Sequence, residues 1–180
     1  MRCAIVHYHE LALKGRNRPF FEHRLVRNLR LTLKDLGIRQ VDPLQGRIRV
    51  ALPDDTPWET VKDRLARVFG IANFSLAHSV PLDLTNPNLE TLNTAVGEAV
   101  RGLTFNTFRV TTKRADKRFP MTSLDVDRAI GAHICALTGK RVSLGNPDLT
   151  VHIEMLAKET YYSVQKEAGP GGLPVGISGK

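Results

Sequence analysis

Five apolar residues, Phe21, Leu25, Leu29, Leu33 and Leu36, recur at spacings of four, four, four and three and stop at Gly37. That period draws one apolar stripe along an α-helix, and a glycine is the natural terminus of such a stripe. A stripe this continuous has to cover an apolar surface, and the flanking sequence supplies one. Residues 3–6 are an apolar run suited to a buried strand, and residues 38–42 and 47–51 alternate around 43–46 as a hairpin. Thr56, Pro57 and Glu59 have the spacing of a capping box with proline at the first helical position. The helix they start buries Trp58, Val61, Leu65 and Val68 and ends at Gly70, before a strand over 71–76.

The order strand, helix, strand, strand, helix, strand is that of the ferredoxin-like βαββαβ unit, which assigns a first domain to residues 1–77. A new pattern follows Pro81 and Pro87. It comprises a helix over 89–100, a strand over 105–112, a helix over 124–137 ended by Gly139, and strands over 148–155 and 159–164. Leu149, Val151, Ile153 and Met155 fall on one face of the first of these strands, so a second α/β domain over 78–167 is expected. The fold class is α+β. The glycine- and proline-rich residues 168–180 have the composition of a linker.

Function is written most densely in residues 108–123, FRVTTKRADKRFPMTS. Phe108, Val110 and Thr112 alternate with Arg109, Thr111 and Lys113, giving a strand with one apolar and one partly cationic face. Lys113, Arg114, Lys117 and Arg118 follow as two basic pairs around Ala115 and Asp116, and Phe119 adds a ring for packing or for stacking on a base. Thr122 stands three residues before Asp125, a capped helix start. A second basic loop, Lys14, Arg16 and Arg18 around Gly15, precedes the first helix, where backbone amides and cations can meet one phosphate. On spacing alone Lys113, Arg114, Lys117 and Arg118 read equally as a solvated face, Asn17 or Arg18 reads also as no more than a helix start, and Arg24, Arg27 and Lys34 read as the solvated side of their helix. The overall excess of 26 Lys and Arg over 18 Asp and Glu favours a polyanionic partner. The excess is uneven, with 14 against 8 in residues 1–75 but 11 against 10 in residues 76–167, so the second half is basic locally and not globally.

Other chemistries find little support. Cys3 and Cys135 lie far apart in apolar surroundings, which indicates neither a disulfide framework nor a CxxC site and fits a reducing cytoplasm. No apolar run reaches membrane-spanning length and the amino terminus lacks a signal-peptide pattern. The tail ends Gly179-Lys180, but a phosphate loop needs glycine where Pro174 stands. His7, His9 and Glu10 have no metal-binding spacing, His78, His133 and His152 are scattered, and nothing fixes a nucleophile beside a base. No catalytic residue, metal ligand or bound cofactor is therefore expected in this chain.

The domain order resembles the amino-terminal half of tRNA 4-thiouridine synthase, the ThiI family of tRNA sulfurtransferases, a ferredoxin-like domain followed by a THUMP domain. Four segments carry the resemblance: ELALKGRNRPFFE at 10–22, residues 108–123, NPDLTVHIE at 146–154, and the tail PGGLPVGISGK. His9 departs from it, standing where the first motif commonly reads glycine. The resemblance implies a chain that binds the acceptor region of tRNA through Lys14, Arg16, Arg18, Arg109, Lys113, Arg114, Lys117 and Arg118, for formation of 4-thiouridine at uridine 8. In that family the tail leads into an ATP-pyrophosphatase domain with an SGGxDS loop, which adenylates a uridine before persulfide sulfur replaces oxygen. Neither that loop nor the family's catalytic cysteines map onto a residue present, so ATP belongs to a domain outside these residues. The implied partners are tRNA, a catalytic PP-loop domain or chain, a cysteine desulfurase as sulfur donor, and a second copy in a homodimer. Two alternatives stay open: a truncated or split but physiologically complete enzyme, and an RNA-binding adaptor for a different tRNA modification. Replacing Lys113, Arg114, Lys117 and Arg118 together with alanine should weaken tRNA binding and flatten its salt dependence in filter-binding titrations, and unchanged binding would remove the site.

Overall fold

In a computed structural model, which describes residues 1–9 and 18–176, the expected stripe lies on α1 (Arg18–Leu33) and continues through a 3-10 turn over Lys34–Leu36. Gly37 stops it at φ 73°, a left-handed conformation that favours glycine, and its N–H donates to the Lys34 carbonyl at 3.2 Å. The chain divides into two units, Met1–Leu76 with Lys166–Lys180 and Ala77–Gln165.

In the first unit α1 is joined by β1 (Arg2–Tyr8), β2 (Val41–Leu44), β3 (Arg47–Ala51), α2 (Trp58–Leu65) and β4 (Ile71–Pro81) as far as Leu76, the rest of β4 belonging to the second unit. The strand order β2-β3-β1-β4 is the ferredoxin-like order. β3 pairs antiparallel with β1 from Cys3↔Ala51 to Val6↔Ile48, and with β2 from Val41↔Val50 to Leu44↔Arg47. The hairpin turn is thus narrower than expected. Pro43 belongs to β2, where an edge position makes its missing donor harmless. The capping box expected at Thr56 and Glu59 does not form. α2 starts one residue later, its N-cap is Pro57, and no side chain caps it. Leu25, Leu29, Leu33, Ile48, Val50, Leu65, Ile71 and Phe74 are at most 1% exposed. Each such burial contributes about 1.5–3 kcal/mol, against about 0–1 kcal/mol for an exposed ion pair such as Arg67–Asp63, so apolar packing holds the unit.

The second unit contains α3 (Glu90–Arg101), β5 (Thr107–Arg114), α4 (Ser123–Thr138), β6 (Arg141–Val142), β7 (Leu149–Met155) and β8 (Glu159–Ser163). β5 is central. It pairs in parallel with β7 from Phe108↔Leu149 to Arg114↔Met155 and with β6 from Thr107↔Arg141 to Phe108↔Val142. β7 pairs antiparallel with β8, and β8 with the far end of β4 from His78↔Tyr162 to Pro81↔Glu159. That last pairing explains why β4 runs five residues past the expected end at Leu76. Phe108, Val126, Ile130, Ile134, Val151 and Ile153 are fully buried, and Phe105 meets Phe108 edge to face with centroids 6.1 Å apart. Among the described residues no helix is long and apolar enough to cross a membrane.

Composition assigns residues 168–180 to a linker, and through Gly176 they lie against the first unit. A short strand β9 (Glu167–Ala168) pairs with β4 at Phe74↔Glu167 and Asn73↔Ala168. Gly169 N–H donates to Ala72 O at 3.0 Å, Gly171 N–H to Ile71 O at 2.8 Å, and Gly70 N–H to Gly171 O at 2.8 Å. Arg24 Nε and Asn28 Nδ2 then donate to Val175 O at 3.0 and 3.1 Å. These are non-local bonds that glycine content does not reveal. A Cβ on Gly169 would stand 2.2 Å from Ile71 O, so the backbones approach as closely as only glycine permits. Gly169→Ala should therefore cost about 1–3 kcal/mol, the range for overpacking. The readout is an earlier urea midpoint for the fluorescence of Trp58, the single tryptophan, and an unshifted midpoint would contradict the packing.

Candidate nucleic-acid interface

The alternation expected on β5 is realised: Phe108, Val110 and Thr112 are buried, Arg109 and Thr111 half-buried, and Lys113 exposed. At the end of the strand Arg114 falls on the buried phase. Its Nη1 donates to Phe119 O at 3.0 Å, and the Phe119 ring is 1% exposed, so this ring packs in the core and is not a base-stacking platform. Ala115 N–H donates to Met155 O at 2.9 Å, tying the first residue after β5 to the end of β7. The loop is thereby anchored at both stems.

Between the stems an Asp116–Arg118 pair closes the turn. Arg118 N–H and Nε donate to Asp116 Oδ1 at 2.9 Å each, while Nε and Nη2 donate to Oδ2 at 3.0 and 2.5 Å. These side-chain and backbone bonds from Arg118 hold the Asp116 carboxyl down to about 2 and raise the guanidinium above its ordinary value. The chain then enters α4 through the expected cap. Asp125 N–H donates to Thr122 Oγ1 at 3.1 Å and Thr122 N–H to Asp125 Oδ2 at 3.4 Å. Those bonds lower the Asp125 carboxyl, whereas burial raises that of Asp127.

The expected cations are consequently unequal. Lys113 and Lys117 are exposed on one end of the β5–β7 pair, whereas Arg114 and Arg118 are engaged within the loop. Arg109 Nη1 donates to Leu144 O at 3.1 Å. In the first unit Arg18 is exposed at the start of α1, and the Tyr8 hydroxyl donates to Glu22. Burial, then the Glu22 bond, push that phenol up to about 12, partly offset by Arg18. Lys14 and Arg16 lie outside the described residues.

Two cations beyond the expected set belong to the same end of the second unit. Arg128, one turn after Asp125 on α4, has a side chain 71% exposed and lies 4.0 Å from the Asp125 carboxylate. Lys158 is exposed in the turn after β7, and the pairing of Arg114 with Met155 brings that turn to the end of β5. The spacing from Asp125 signals Arg128 in the sequence, but Lys158 needs the strand register. Among the described residues no cluster of His, Cys, Asp or Glu could hold a metal ion.

The ThiI ferredoxin-like domain profile matches residues 3–75 and the THUMP domain profile residues 86–165. A probable tRNA sulfurtransferase of Thermus thermophilus is 38% identical over 173 residues, which is 96% of this chain and 41% of the relative. PH1313 from Pyrococcus horikoshii superposes with a TM-score of 0.86 at 32% identity, covering 99% of this chain and 58% of that one. A 4-thiouridine synthetase crystallised with RNA and bound ATP gives 0.77 at 28% identity, covering 99% and 44%. The chain spans less than half the length of the curated relatives it matches.

The Asp116 pair has a definite pH signature. A depressed folded-state pKa stabilises the native loop above the unfolded value and loses that contribution as pH falls through the folded value. The Asp116 carboxyl carbon should titrate by NMR with a midpoint of about 2. In Arg118→Ala it should return toward about 3.9, and an unmoved midpoint would contradict the pairing.

Proposed function

The chain belongs to the ThiI family, its residues forming a ThiI ferredoxin-like domain followed by a THUMP domain, and from that premise we propose that it is the tRNA-docking module of a tRNA sulfurtransferase. The observation that carries this reading is the pair Lys113 and Lys117, exposed at the end of β5 beside the capped start of α4. An ammonium on a flexible stem meets a phosphate as a point charge, without the fixed fork geometry an arginine imposes. Binding by such groups releases counterions and reads backbone shape more than base sequence, as suits a helical RNA stem with its 2′-hydroxyls on a shallow groove. Arg128 and Lys158 extend the same cationic rim.

The ligand is the acceptor region of tRNA, and the reaction served is 4-thiouridine formation at uridine 8. The residues described contribute grip and orientation. Activation with ATP and transfer of sulfur from a cysteine desulfurase belong to a catalytic PP-loop domain outside these residues, with a second copy of the protein presenting the tRNA in a homodimer. The crystallised 4-thiouridine synthetase, captured in a complex with RNA, supports RNA as the class of ligand. Each phosphate contact contributes about 0.7–0.9 to the slope of log affinity against log salt. Lys113→Ala/Lys117→Ala should therefore lower that slope by about 1.5 for an unmodified tRNA transcript and for its acceptor minihelix. An unaltered slope and affinity across salt would overturn the reading.

A further inference from the structure

Asp116 places a negative charge inside the most cationic segment of the second unit, where simple electrostatics has it repel the phosphates that Lys113 and Lys117 attract. The geometry gives it another role. Its side chain is only 10% exposed while that of Arg118 is 68% exposed, and both carboxylate oxygens accept from Arg118. The carboxylate is turned in on its own loop, and Arg118 carries its neutralising partner with it. Lys117, enclosed between the two, is exposed. Ala115 is tied to Met155 and Arg114 to the Phe119 carbonyl, and the Asp116–Arg118 closure joins the two residues on either side of Lys117.

We propose that Asp116 is a positioning residue for RNA binding, with Arg118 acting as its brace and not as a phosphate contact. This rests on the reading of the loop as a tRNA interface. Preorganisation supplies the physical reason: a lysine already held in its bound position loses less freedom on binding. The consequence has an unusual sign, since removing an acid from a phosphate-binding surface weakens binding.

The test is a tRNA-transcript titration across salt with the full chain carrying Asp116→Ala, Asp116→Asn, Arg118→Ala or Lys117→Ala, each checked for an unchanged thermal midpoint. Asp116→Ala should bind about tenfold more weakly despite its added positive charge, the loss expected of charge-assisted hydrogen bonds. Asp116→Asn, which keeps an acceptor for the Arg118 N–H, should fall between it and the wild type. Arg118→Ala should weaken binding with the salt slope unchanged, whereas Lys117→Ala should lower the slope by about 0.7–0.9. Tighter binding by either Asp116 variant, or an Arg118→Ala slope reduced as far as that of Lys117→Ala, overturns the positioning role and leaves the tRNA interface standing. No change in any variant, Lys117→Ala included, overturns both.

Discussion

The parallel pairing of β5 with β7 is the constraint from which the second unit follows. Parallel neighbours cannot be joined by a hairpin, so the chain leaving β5 has to cross the sheet before it returns. α4 makes that crossing, burying Val126, Ile130 and Ile134 against a sheet whose own contribution is Phe108, Val151 and Ile153. The residues between Arg114 and Ser123 are the turn into it. They lie on the rim of the sheet, where charged side chains keep their water, and a capping box fixes where the turn ends. A surface of exposed lysines beside a helix start is therefore a product of topology before it is a product of charge.

Within that turn the cations are divided by chemistry. A guanidinium presents several donors in a rigid fork and suits closing a loop on a carboxylate or a carbonyl, as Arg118 and Arg114 do. An ammonium suits contact with a mobile, hydrated phosphate, and both lysines are exposed. The Arg118 side chain of the Asp116–Arg118 pair is largely exposed, and water screens such a charge. The Asp116–Arg118 pair is better understood as a determinant of loop shape than as a contributor to the stability of the unit.

Much of the fold is legible in the sequence because its signals are local. The stripe from Phe21 to Leu36, the glycine stop at Gly37, the Thr122–Asp125 cap and the alternation on β5 each depend on residues within a few turns of one another. The rest depends on partners distant in sequence. β6 is two exposed residues with no period to read, β9 exists only because β4 offers an edge, and β4 extends to Pro81 only because β8 lies beside it. The Thr56–Glu59 spacing failed as a cap because the helix it precedes begins one residue later. At the interface the exposure of Lys113 was readable from strand alternation. The engagement of Arg114 by a carbonyl five residues on, and of Arg118 by the acid two residues before it, was not readable from composition, which counts all four cations alike.

A probable tRNA sulfurtransferase and a 4-thiouridine synthetase are among the proteins that match this chain across both domains, and the proposed RNA contact lies at the end of β5 and in the loop after it, where Lys113 and Lys117 are exposed. The most direct test of that claim is a map of backbone amide chemical-shift changes on titrating the isotope-labelled chain with an unmodified tRNA acceptor minihelix. The account predicts the largest changes from Lys113 to Ser123, diminishing as salt is raised. Changes confined to other residues, with that segment unmoved at saturating minihelix, would contradict it.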